Sequence, residues 1–142
     1  MSRTKWTWKE VTLPKDLLEK LDVQFMTGFY EASLPSDPLQ VDVLAALADL
    51  YARQGMVEKG LALDLKLVEA RPDEPTFHYN LACSHSLLGH LDPALAALQR
   101  AIQLGYNEWD HLREDPDLAN LKKDVRFQQM LEDLAGKKKA KG

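Results

Sequence analysis

Two consecutive blocks of equal length decide the fold. Residues 41–74 read VDVLAALADLYARQGMVEKGLALDLKLVEARPDE, and residues 75–108 read PTFHYNLACSHSLLGHLDPALAALQRAIQLGYNE. Only six positions are identical, but the pattern of residue types repeats every 34 residues without a gap. Gly55, for example, aligns with Gly89. A period of this length indicates an array of helical repeats, each too small to bury its own apolar face.

Each block has the pattern of two helices joined by a turn. In the first block, apolar residues recur at helical spacing from Leu44 to Tyr51, which places them on one face of a helix. Gly55 supplies the left-handed residue that ends this helix, and Pro72 stops the second helix. A small residue in the second helix of each block, such as Ala94, lets the paired helices approach closely. The sequence therefore predicts an all-α fold, an α-solenoid of antiparallel helix pairs.

The two blocks resemble the tetratricopeptide repeat (TPR) family. The residues that carry the resemblance are Leu47, Ala48, Tyr51, Gly55, Gly60 and Pro72 in the first block, and Leu81, Ala82, Gly89, Ala94 and Ala101 in the second. The chain departs from the family pattern at His85, where the family prefers tyrosine, and at Asp64, where an aromatic residue is usual. The resemblance implies a right-handed superhelix in which the first helix of each pair lines a concave inner face.

The predicted organisation is a single helical domain with short flanks. Its parts are a flexible N-terminal segment at 1–14, a domain at 15–135 and a disordered basic tail at 136–142; the domain comprises a helix at 15–33, repeats at 41–74 and 75–108, and a capping segment at 109–135. Caps are expected because the end faces of a two-repeat array are apolar. The apolar stripe of Leu18, Leu21, Phe25 and Phe29 is expected to pack the first helix on the first repeat.

The composition narrows the class of partner. The net charge of −4 argues against a nucleic-acid binder, which is normally basic. The single cysteine excludes an intrachain disulfide. The first residues lack the apolar core of a secretory signal, and no apolar run approaches the ~18 residues of a membrane span. We therefore expect a cytoplasmic protein whose partner is neither nucleic acid nor a membrane.

No catalytic, cofactor or metal site is predicted. Four potential metal ligands lie within thirteen residues: His78, Cys83, His85 and His90. The repeat pattern directs them to different faces, whereas a zinc site needs ligands that converge on one point. The sequence contains no serine nucleophile elbow, phosphate-binding loop or His-Glu-x-x-His motif. These absences predict a protein that is not an enzyme.

The resemblance places the partner-binding surface on the concave face. The side chains expected there are Asp42, Ala45, Asp49, Ala52 and Arg53 from the first repeat, and Thr76, Tyr79, Asn80, Cys83 and Ser86 from the second. Asn80 stands where the family often has an asparagine that hydrogen-bonds a bound peptide backbone. Tyr79 offers the kind of contact surface that is enriched at binding hot spots. Asp42 and Asp49 favour a neutral or basic ligand.

The sequence thus predicts a non-catalytic protein–protein interaction module, an adaptor or scaffold that holds a partner peptide or helix in the groove. Two alternatives stay open, a small chaperone for a specific secreted partner and a self-associating structural module that forms a weak homo-oligomer. Trp6 and Trp8 add a further choice, since they can dock on the N-terminal helix or act as a hook for a partner.

Overall fold

The computed structural model describes residues 15–33 and 41–141. Its helices are α1 (Lys15–Ser33), α2 (Val41–Arg53), α3 (Val57–Ala70), α4 (Pro75–Leu87), α5 (Leu91–Gln103), α6 (Trp109–Glu114), a 3₁₀ helix (Pro116–Leu118), α7 (Ala119–Lys122) and α8 (Val125–Lys141). These residues contain no strand, which confirms the all-α prediction. The segment 1–14, with Trp6 and Trp8, lies outside the described residues.

The turn inside each repeat depends on a left-handed glycine. Gly55 has φ 71° and Gly89 has φ 77°, a region that side chains with a Cβ rarely adopt. In the first repeat the Met56 amide donates to the Tyr51 carbonyl at 2.9 Å, and the same bond recurs 34 residues later. This bond closes the end of the first helix and reverses the chain into the second. Both glycines therefore act as the sequence predicted.

The core consists of two apolar clusters, one for each repeat. The first holds Leu44, Leu47, Ala48, Tyr51, Leu63 and Leu67 from α2 and α3. In the second, Ala82 of α4 and Ala94 of α5 are both fully buried. Alanine at these positions lets the backbones of α4 and α5 come close together.

The apolar end of the second repeat is covered by α6, the 3₁₀ helix and α7, which together form the closing segment (residues 109–122). Leu112, Leu118 and Leu121 of this segment are fully buried, and Phe127 of α8 is 3% exposed. They join the cluster built by α4 and α5. The closing segment thus gives the array the cap that an apolar end face requires.

The N-terminal helix packs through a different face from the one expected. Phe25 and Phe29 are 71% and 58% exposed rather than packed on the first repeat. The contact with α2 is made by polar groups, because Tyr51 donates to Glu31 at 2.8 Å and the Gln54 side chain donates to Thr27 at 2.9 Å. Thr27 lies two residues from Phe25, so the two side chains point to nearly opposite sides of the helix.

The end of the chain also differs from the sequence prediction. A disordered tail was predicted at 136–142, whereas α8 continues through Lys141. Extending an existing helix adds one hydrogen bond for each residue that is fixed, and lysine and alanine are strong helix formers. These two residue types make up most of the last turn and a half, so the helix continues.

Replacing Ala82 by leucine should overpack the contact between α4 and α5. Both Ala82 and Ala94 are fully buried, so the added atoms have no space. We expect the free energy of unfolding to fall by about 1–3 kcal/mol in urea denaturation. The matched control is Ala96→Leu on the exposed face of α5, which should change stability by less than about 0.5 kcal/mol. Equal effects of the two variants would contradict this packing.

Shortening Phe127 to alanine should open a cavity under the cap. Its ring is 3% exposed and joins the second apolar cluster. The expected loss is about 3–5 kcal/mol, a large share of the stability of a domain this size. Val125→Ala, which shortens a side chain that is 72% exposed on the same helix, provides the control. A thermal unfolding profile like that of the unmodified chain would show that α8 does not stabilise the cap.

Candidate functional site

A groove of about 480 Å³ opens between α2, α3, α4 and the closing segment. We call it the concave groove. Its apolar wall includes Ala45, Ala48, Ala52, Leu67, Phe77 and Leu87. Its polar groups are Asp49, Asp64, Asn80 and Ser84, with Cys83, His111, Asp115 and Asp117 beside the closing segment. The groove therefore combines an apolar surface with several carboxyl groups.

The structure brings part of the predicted surface into this groove. Ala45, Asp49, Ala52, Tyr79, Asn80 and Cys83 line it, whereas Asp42, Arg53, Thr76 and Ser86 do not. Asp42 and Thr76 are exposed elsewhere. Arg53 forms an ion pair with Asp49 at 2.9 Å and lines a separate cleft against α1. The prediction therefore combined residues that belong to at least two surfaces.

Three of the predicted contact residues are buried by the closing segment. Tyr79 is 4% exposed, and its ring stacks on Tyr106 with centroids 4.4 Å apart. Cys83 is also buried, and Ser86 is fully buried, where its hydroxyl accepts from the Leu121 amide at 3.3 Å. The expectation of solvent-facing side chains was wrong here because the closing segment lies across this part of α4.

One carboxylate joins α4 to the closing segment. Asp115 is buried, and its Oδ2 accepts from the Tyr79 hydroxyl at 2.6 Å and lies 3.7 Å from the Cys83 sulfur. His111 Nε2 lies 3.4 Å from the same oxygen. The other oxygen, Oδ1, accepts from the Asp117 amide at 3.0 Å and caps the 3₁₀ helix. Four groups thus converge on one side chain.

Burial keeps the donors around Asp115 protonated. It raises the pKa of the Cys83 thiol above its usual range, and the charge of Asp115 raises this pKa further. Burial also raises the pKa of Tyr79, followed by its hydrogen bond to Asp115. Both residues therefore remain neutral donors to a carboxylate at neutral pH.

Asp64 places a second buried carboxyl group in the groove. It is 5% exposed and accepts a hydrogen bond from the Ser84 hydroxyl at 2.5 Å. Burial raises its pKa to about 6, against the lowering effect of that hydrogen bond. The structure places no lysine or arginine of its described residues within ion-pair distance of Asp64. One repeat later, the equivalent residue is the fully buried Leu98.

The sequence contained signals for some residues that its interpretation missed. Asp64 departs from the family pattern at a position that holds a buried leucine in the next repeat. A further shift of 34 residues places Asp117 at the position of Cys83 and Asp49. No comparable signal pointed to His111 or Asp115, because their contacts with α4 depend on how the closing segment folds back.

The four potential metal ligands singled out in the sequence do not form one cluster. His78 Nε2 lies 2.8 Å from the Pro72 carbonyl, and the rings of His85 and His90 approach each other with Nδ1 atoms 3.3 Å apart. Within the described part of the chain, the group of three ligand residues that converges is Cys83, Asp115 and Asp117. Cys83 therefore has neighbours that only the fold reveals.

Comparison with known proteins supports the fold. No protein-family model matches the chain. A chloroplastic protein of Arabidopsis thaliana is 30% identical over 84 residues, or 57% of this chain, which spans 25% of that relative's length. The solved structure "MamA MSR-1 C2" is 20% identical, matches 80% of this chain and 71% of its own, and has a TM-score of 0.58. MamA contains tetratricopeptide repeats, so the chain has a TPR-like helical-repeat fold.

The described helices were also searched for membrane spans. No helix in residues 15–33 or 41–141 is both long and apolar enough to cross a membrane.

Asp64→Asn should change how stability depends on pH. The folded chain raises the pKa of Asp64 from 3.8 to about 6, so the folded state binds this proton more tightly than the unfolded state. The resulting stability is fully present below the unfolded pKa and is lost as pH rises through about 6. A shift of this size corresponds to about 3 kcal/mol.

The measurement is urea denaturation at about pH 3.5 and about pH 7. Relative to the unmodified chain, the Asp64→Asn variant should gain up to about 3 kcal/mol at the higher pH. Asp49→Asn removes an exposed carboxylate of the same groove and provides the control. A constant difference between Asp64→Asn and the unmodified chain at both pH values would show that burial does not penalise this carboxylate.

Proposed function

We propose that this chain is a non-catalytic protein-interaction module of the tetratricopeptide family, an adaptor or scaffold that holds a partner peptide or helix in the concave groove. The observation that carries this proposal is the groove itself, where an apolar wall is combined with carboxyl groups that have no cationic neighbour in the lining. A TPR-like fold supports this role because stacked helix pairs present an extended concave binding surface.

The groove is suited to a segment that presents both backbone and side chains. Asn80 is exposed on α4, where its amide can hydrogen-bond the backbone of a bound segment. Ala45 and Phe77 offer apolar surface for the side chains of that segment. Tyr79, which was expected to contribute contact area, is mostly covered by the closing segment. We therefore assign the recognition of the partner to Asn80 and the α2 side of the groove.

The charge of the groove favours a basic or neutral segment. Asp49 and Asp117 contribute carboxylates near its surface, and Asp64 and Asp115 contribute buried ones. No lysine or arginine is among the described residues that line the groove. A lysine or arginine of the partner would therefore meet complementary charge and speed the encounter. A secreted-protein chaperone would use the same groove, and a cytoplasmic location stays a prediction.

One observation favours the self-associating alternative. Phe25 is 71% exposed on α1, on the side away from α2. Sedimentation over a range of concentrations separates this alternative from a monomeric adaptor. A mass that rises with concentration in the unmodified chain but not in Phe25→Glu would favour self-association.

Selection from a displayed random-peptide library tests the proposal without knowledge of the natural partner. The selected peptides should be enriched in lysine and arginine, and their affinity should fall with salt. Asn80→Ala and Asp49→Asn should each weaken binding by a factor of about five to a hundred, as expected for losing a buried polar contact worth about 1–3 kcal/mol. Glu69→Gln, an exposed substitution on α3, is the matched control.

The result can contradict the proposal in two ways. Peptides that bind the groove variants as tightly as the unmodified chain would place the interaction elsewhere. Peptides without basic residues, whose binding is insensitive to salt, would remove the charge argument and leave only the apolar wall.

A further inference from the structure

Four potential metal ligands meet where α4 touches the closing segment. Cys83 lies on α4, and His111, Asp115 and Asp117 lie in the closing segment. One ligand atom each from Cys83, Asp115 and Asp117 lies within 4.8 Å of the others. We propose that this cluster binds one divalent transition-metal ion of the zinc class. The proposal is independent of partner binding, because it concerns the contact between the cap and the second repeat.

The spacing of the ligand atoms fits a tetrahedral ion. With bonds of about 2.3 Å to sulfur and about 2.1 Å to nitrogen or oxygen, two ligands of one tetrahedral zinc lie about 3.3–3.7 Å apart. The Cys83 sulfur lies 3.7 Å from Asp115 Oδ2, and His111 Nε2 lies 3.4 Å from the same atom. Two of the required ligand separations are therefore already present.

The type of ligand selects the class of metal. A thiolate, an imidazole and two carboxylates form a mixed set in which sulfur and nitrogen favour zinc-class ions over magnesium or calcium. Binding requires the Cys83 thiolate, so the thiol proton is released to solvent as the metal–sulfur bond forms. His111 binds through neutral Nε2. Its side chain is 58% exposed, which leaves an open route for the ion from the groove.

A second observation points to the same place. Tyr106 is 8% exposed, and among the described residues its hydroxyl is a buried polar atom without a hydrogen-bond partner. Its ring stacks on Tyr79, which hydrogen-bonds Asp115. Burial raises the pKa of Tyr106 against the lowering effect of the neighbouring Tyr79 hydroxyl, and the charges of Glu108, Cys83 and Asp115 raise it further. The Tyr106 hydroxyl therefore lies close to the cluster, and a water or ligand bound to the ion would give it an acceptor.

Tyr79 acts as a positioning residue in this site. Its hydroxyl donates to Asp115 at 2.6 Å and orients the carboxylate toward Cys83 and His111. Hydrogen bonds of this kind hold the ligands of metal sites in place, and their loss commonly weakens metal affinity by about 10–100-fold.

The test uses the full chain, stripped of metal with a chelator and then titrated with Zn²⁺ by calorimetry and with Co²⁺ by absorption. We expect one ion per chain and a sulfur-to-cobalt charge-transfer band. Cys83→Ser should abolish the band, and both Cys83→Ser and His111→Gln should weaken Zn²⁺ binding by at least about tenfold. Tyr79→Phe should weaken it while keeping the band. Asp110→Asn, at a carboxylate whose side chain is 95% exposed on α6, should bind like the unmodified chain.

Asp115→Asn should also lose Zn²⁺ binding, and circular dichroism checks that this variant folds. If it does not fold, His111→Gln decides, because His111 is largely exposed. Zn²⁺ binding that survives Cys83→Ser, or that is lost in His85→Gln, would assign the ion to the neighbouring rings of His85 and His90 and overturn the proposal. Absence of the charge-transfer band in the unmodified chain would also overturn it.

Discussion

The closing segment is held on the repeats by a buried carboxylate that α4 and the segment share. The Tyr79 hydroxyl donates to Asp115 at 2.6 Å, a short distance typical of hydrogen bonds to a charged acceptor. Removing either partner would leave the other buried and unpaired, which costs more than the net contribution of the bond itself. Leu112 and Leu118 flank Asp115 on the chain and are fully buried, so the same contact sets the apolar cover over the second repeat.

This arrangement uses one face of α4 for two purposes. In an extended array, the inner face of a first helix is free for a partner, but here Tyr79, Cys83 and Ser86 contact the cap. Asn80 remains accessible on the other side of the same helix. The surface available to a partner is therefore narrower than the repeat pattern alone implies, and it is shifted toward α2.

The contrast between what the sequence predicted and what it missed has a physical basis. The helix pairs and the turns at Gly55 and Gly89 follow from residue periodicity and backbone sterics, which act over a few residues. The burial of Tyr79 depends on Asp115, which is 36 residues away and has no periodic relation to it. Asp64 lies between these cases. The fully buried Leu98 at the equivalent position of the second repeat marks Asp64 as a carboxylate at a core position, but only the structure shows it facing a groove.

The two buried carboxylates of the groove share one electrostatic situation. Burial of Asp64 destabilises its charged form, as the rise of its pKa to about 6 shows, and no lysine or arginine of the described residues offsets this cost. A cation that enters the groove would offset it and would lower that pKa by favouring the charged form. Binding of a cation and release of a proton from Asp64 are therefore linked, and any ligand that carries positive charge should bind more tightly as pH rises through about 6. The acidic groove is thus less stable when empty and charged than when it is occupied by a cation.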